Sequence, residues 1–134
     1  MDEKGFTIEV TSRYEGWWRY NVALMCGCFD DAGRRIGFAS SASTVADVGS
    51  NLTERPADIA ADRTAALQTV PCDHLVLYLY LIPHTLPAGN DIDANKPFEI
   101  ELKIAYDGHR LRTEKRTINQ WSGASVEMRV DSKK

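Results

Sequence analysis

The sequence lacks an apolar run long enough to cross a bilayer. The longest, Leu75 to Ile82, is far shorter than the ~20 residues a membrane helix needs. The start, Met1 to Gly5, is polar, and no apolar core of a signal peptide follows it. Cysteine is scarce and odd in number, at 3, and Cys26 and Cys28 are too close in an extended chain to bridge comfortably. These features together predict a cytoplasmic protein with reduced thiols, in which the Asn51-Leu52-Thr53 sequon has no role. Charge of one sign is also lacking. A net charge of −3 gives no electrostatic basis for binding nucleic acid or an anionic membrane surface.

Catalytic signatures are missing as well. There is no GxSxG elbow around the serines and no glycine-rich phosphate loop. His74, His84 and His109 are scattered and none stands in a HEXXH setting. The expectation is a protein that is not an enzyme.

What the chain does contain is alternation. At 134 residues it fits one domain, and a chain of that length needs no disulfide or metal to fold. Phe6, Ile8 and Val10 alternate with polar residues, the pattern of a half-buried strand. From Trp17 to Phe29, one face carries Trp18, Tyr20, Val22, Leu24, Cys26 and Cys28, and reads as core. The other face carries Trp17, Arg19, Asn21, Ala23, Met25 and Phe29, and reads as partly exposed. Asp30-Asp31-Ala32-Gly33 is a turn signal leading to a hairpin partner over 34–43, with Ile36 and Phe38 expected inward.

The stretch from Leu75 to Ile82 is apolar on both faces, so a central strand is expected, with Leu75, Leu77, Leu79 and Leu81 facing the core. Phe98, Ile100, Leu102 and Ile104 mark another strand, and Asp107-Gly108 is a two-residue hairpin turn. In the return strand, His109 to Ile118, Leu111 and Ile118 have opposite parity, which requires a bulge or a break of register. Val126, Met128 and Val130 form the last strand. Pro56 and the spacing of Ile59, Arg63, Ala66, Leu67 and Val70 predict one helix over 56–68. The whole reads as a single domain over 1–134, mainly all-β. The fold class is an antiparallel β-sandwich of about seven strands with one short helix, or else a flattened β-barrel.

Four patterns bear on function. Asp91, Asp93 and Asn95 present oxygen ligands at alternate positions, as a calcium loop does, and Asp30, Asp31 or Asp107 could add to them. Against this, Lys96 and Leu102 stand where an EF-hand wants glycine and glutamate. The commoner reading is a turn whose side chains bond nearby backbone amides. Cys26, Cys28, Cys72 and His74 offer a zinc donor set, but strand-like spacing favours cysteines packed as small hydrophobes. Arg110, Arg112 and Arg116 form a basic stripe, which reads as a solvated face or a charged edge strand.

The fourth pattern is aromatic. If the leucines of 75–81 line the core, then Tyr78 and Tyr80 point away from it. Trp17 and Trp121 join them as aromatic candidates for a ligand site or an interface. The competing reading covers Tyr78 and Tyr80 with the helix over 56–68 or the loop over 83–97. The leading expectation is a non-catalytic protein-interaction or structural module that binds a protein partner or forms a homo-oligomer. Small-ligand or carbohydrate binding comes next, and calcium-dependent binding after that. No other cofactor is expected.

Overall fold

A computed structural model describes residues 5–50, 54–61, 63–85, 97–119 and 123–132. Its elements are β1 (Phe6–Thr11), β2 (Tyr20–Phe29), β3 (Arg35–Ser43), β4 (Ala65–Gln68), β5 (His74–Pro83), β6 (Phe98–Tyr106), β7 (His109–Ile118) and β8 (Ala124–Asp131). A single 3₁₀ turn, Trp17–Arg19, precedes β2. The strands form two four-stranded antiparallel sheets. Sheet A runs β4-β1-β6-β7, and sheet B runs β3-β2-β5-β8. The architecture is the sandwich and not the barrel, with eight described strands where alternation alone suggested about seven.

The period of two in the sequence becomes the two faces of each sheet. Sheet A turns Phe6, Ile8, Val10, Ile100, Leu102 and Ile104 inward; sheet B turns in Tyr20, Val22, Leu24, Cys26, Cys28 and the four leucines of β5. These side chains form one continuous core between the sheets. Asp30 builds the β2–β3 turn. Its Oδ1 accepts from the backbone N–H of Ala32 (3.0 Å) and Arg34 (2.9 Å), while Gly33 takes φ +81°. Asp107 and Gly108, at φ +50° and +81°, close the β6–β7 hairpin, both positive as a type I′ turn requires.

Four expectations need correction. The helix over 56–68 does not form. Residues 54–61 are turns and bends, and Ala65–Gln68 is a strand paired antiparallel with β1. The free backbone edge of β1 gains a ladder from these residues, and a tertiary pairing of that kind outweighs a weak helical spacing. Ala65 and Leu67 are buried while Ala66 and Gln68 are exposed, which is strand alternation.

Trp17 is fully buried, not on an exposed strand face. It starts the 3₁₀ turn ahead of β2, and that turn removes it from the strand's parity. Ile36 and Phe38 are exposed: β3 pairs Gly27 with Phe38 and so aligns Phe38 with the outward residues of β2, and Ile36 falls at the register shift opposite Cys28 and Phe29.

In β7 the register shifts opposite Ile104 and Ala105. Ile104 faces Arg112 and Ala105 faces Arg110, leaving Leu111 as the bulged residue between them. The bulge expected from the parity of Leu111 and Ile118 is therefore present, and it splits the basic stripe. Arg112 and Arg116 lie on one face of β7 and Arg110 on the other. Arg112 and Arg116 bracket Glu114 at 3.8 and 3.1 Å, and Arg112 reaches the sulfur of Met128 across the open side of the sandwich.

Candidate functional site

The outer faces of the two sheets differ in chemistry. On sheet A, Glu9 stands opposite Lys103, and Glu101 opposite Lys115. Lys103 also lies 3.4 Å from Glu101. Such a face is at home in water. A groove of about 270 Å³ runs along its edge, lined by Ile100 and by the polar residues Thr11, Ser12, Arg13, Glu99, Glu101, Lys103 and Lys115. It is polar and a little under the ~300 Å³ at which small-molecule sites begin.

On sheet B the outward rows follow from the register. One row runs Phe38, Gly27, Val76, Arg129; the next Ser40, Met25, Tyr78, Glu127; the next Ala42, Ala23, Tyr80, Ser125. The three strands β3, β2 and β5 contribute no charge to these rows. Phe38 is 63% exposed and Ile82 41% exposed, and Tyr78 and Tyr80 are half-buried. The structure therefore brings Tyr78 and Tyr80 together on one wet, largely uncharged surface. It separates Trp17 from them by burying it. Trp121, and the calcium candidates Asp91, Asp93 and Asn95, lie outside the described residues.

Trp17 has a different part, one that depends on Arg63. The Trp17 indole N–H donates to the Arg63 carbonyl (3.0 Å), and the Arg63 guanidinium sits 4.8 Å from the centre of the indole ring. That guanidinium also donates to the Trp17 carbonyl (2.9 Å), the Ser43 hydroxyl (3.0 Å) and the Tyr20 carbonyl. Among the described residues it is held by carbonyls and a hydroxyl, not by a carboxylate. Burial lowers its pKa to about 10, so it stays charged at neutral pH. Arg63 ties the segment before β4 to the start of β2 and the end of β3. Sequence spacing had assigned it to a helix face, and nothing local marks it as a clamp.

His84, 1% exposed, is a second polar group whose role the sequence did not reveal. Its Nε2 donates to the Trp18 carbonyl at 2.6 Å, and its Nδ1 meets the hydroxyls of Thr85 (2.6 Å) and Ser50 (3.2 Å). Desolvation lowers its pKa, against the raising effect of the Trp18 carbonyl, and the positive charges of Arg63 and Arg19 lower it further.

The zinc set suggested by the cysteines is not assembled. Cys26 and Cys28 point into the core, whereas His74 stacks on Phe29 on the opposite face of sheet B. Burial pushes the thiols of Cys26 and Cys72 up to about 12. His74 instead meets Asp73 (Nδ1 to Oδ2, 2.8 Å) and lies beside Asp131.

No family model matches the chain, and no curated protein is detectably similar to it. Two solved structures resemble it over 98% of both chains. One is a DUF4425 family protein from Bacteroides ovatus, at 10% identity and a TM-score of 0.43. The other is a DUF4425 domain of unknown function from Bacteroides vulgatus, at 9% identity and a TM-score of 0.46.

Proposed function

We propose that this domain is a non-catalytic interaction module that self-associates through the outer face of sheet B. The observation that carries the reading is the uncharged surface centred on Met25, Tyr78 and Tyr80, with Phe38 standing 63% exposed at its margin. Of the two covers the chain itself offers the tyrosines, the helix over 56–68 is absent among the described residues, and the loop over 83–97 lies mostly outside them.

A second copy of the same face is a good cover because the face is self-complementary. A two-fold axis lying across the strands at the level of Met128 sets large side chains over small ones on β2 and β3, and Tyr78 over the partner's Val76 on β5. Met25 then faces the partner's Gly27, and Ser40 faces the partner's Phe38. On β8 the same axis sets Glu127 against the partner's Arg129, which also lies 3.2 Å from Asp131 of its own chain, so these charges are paired instead of buried alone.

Four strands about 4.8 Å apart and about nine residues long at ~3.3 Å each give a face of roughly 570 Å². Two such faces bury about 1,100 Å², the low end for a specific interface. An interface of that size belongs with weak, reversible associations.

Sedimentation velocity over a wide concentration range tests this. Wild type should shift from monomer to dimer. The pair Tyr78→Ser and Tyr80→Ser should stay monomeric with an unchanged far-UV circular dichroism spectrum. A wild-type protein that remains monomeric at millimolar concentration would overturn the reading, as would a double variant that still dimerises.

A further inference from the structure

We propose that Asp73, His74 and Asp131 form a binding site for a divalent transition-metal ion of the zinc class, at the end of sheet B where β5 begins and β8 finishes. The donor atoms of the three side chains all lie within 4.8 Å of one another. Two donors bound tetrahedrally at ~2.1 Å from zinc are about 3.4 Å apart, so small side-chain rotations close the set around an ion.

The backbone under the site is fixed by the sheet and its extensions. His74 stands directly opposite Asp131 in the β5–β8 ladder. The Asp73 carbonyl accepts from the Ser132 N–H at 2.9 Å, and the Asp73 N–H donates to the Phe29 carbonyl at 2.9 Å. All three ligands therefore sit on ladder-bonded backbone, and positioning of that kind reduces the ordering cost of binding.

The imidazole is itself prearranged. His74 is only 9% exposed, and its ring lies flat on Phe29, 5.3 Å between centroids and 9° from parallel. The ring's hydrogen bonding among the described residues runs through Nδ1 to Asp73, so an ion held by both residues takes the place of the proton they share, and binding releases that proton. The carboxylates of Asp73 and Asp131 face solvent, which gives an ion a path in.

The donor set selects the ion. One imidazole with two carboxylates suits zinc, nickel or copper, whereas calcium takes six or more oxygens. One competitor is in place: Arg129 reaches Oδ1 of Asp131 through Nε and Nη2, each at 3.2 Å. A cation arriving between Asp131 and His74 must displace or share that contact.

Titration calorimetry of the full chain with zinc chloride tests the site. One ion per chain should bind, and calcium chloride should give no saturable heat. Asp131→Asn, at an exposed position that leaves the fold intact, should weaken zinc at least tenfold. Arg129→Gln should tighten it. Because His74 and Asp131 share the outer face of sheet B with the proposed dimer, the titration is repeated on the Tyr78→Ser and Tyr80→Ser pair, which should bind one zinc as a monomer, so that failure of the site and failure of the dimer read differently. No saturable zinc binding up to millimolar concentration overturns the proposal. So does zinc affinity that is indifferent to Asp131→Asn, or calcium bound as tightly as zinc.

Discussion

Replacing Arg63 with methionine should cost the fold more than any surface substitution, and the size can be worked from its contacts. The guanidinium donates to the Trp17 and Tyr20 carbonyls and to the Ser43 hydroxyl, and it lies over the Trp17 ring. Methionine keeps most of the apolar stem but removes every donor. Hydrogen bonds to a charged group contribute about 1.5–3 kcal/mol each, and an orphaned acceptor costs about 1–3 kcal/mol. The cation–π contact adds about 0.5–2 kcal/mol. These terms overlap and water reaches part of the site, so the expected net loss is about 3–5 kcal/mol.

At about 4 °C per kcal/mol for a chain of this size, the melting temperature should fall by roughly 12–20 °C. Arg63→Lys should fall between wild type and Arg63→Met, because an ammonium cannot span three acceptors in the plane of a guanidinium. Thermal melts and urea titrations of the three proteins give the answer. A loss under about 1 kcal/mol for Arg63→Met, or a lysine variant as stable as wild type, would refute the clamp.

Two further outcomes follow from titratable groups. Because the folded state depresses the His84 pKa, the unfolded chain binds the proton more readily. Stability attributable to His84 is therefore full above the unfolded value near 6.5 and is lost as pH falls from there through the folded value. Urea midpoints should drop between pH 7 and pH 5, and His84→Asn should flatten that slope if the amide keeps the Trp18 and Ser50 contacts. The buried thiols of Cys26 and Cys72, raised to about 12, should react with a disulfide reagent far more slowly in the native protein than in denaturant. Fast labelling of the native protein would contradict their burial.

Strand parity and turn chemistry were determined by the sequence itself. Alternation at Phe6 to Val10, Tyr20 to Cys28 and Phe98 to Ile104 assigned the core correctly, because side chains on a strand have no choice but to alternate. Asp107-Gly108 and the Asp30 turn were legible for the same local reason: only a few residue types accept positive φ or cap their own turn. Even the β7 bulge was visible, as a clash of parity between Leu111 and Ile118. Tyr78 and Tyr80 could be placed on the outward face, since β5 is apolar on both sides and the four leucines already claim the core.

The tertiary structure alone decided the rest, and in each case the cause is a contact between distant parts of the chain. Residues 65–68 became a strand because the edge of β1 was open, a fact no local window contains. Trp17 went inside because Arg63, 46 positions away, offers it a carbonyl and a cation. Phe38 went outside because the pairing of β3 with β2 set its row. His74 met Asp131 instead of the cysteines because β5 and β8 pair in register while Cys26 and Cys28 face the other side of the same sheet. Periodicity fixes which residues share a face, but only strand order and register decide what that face meets.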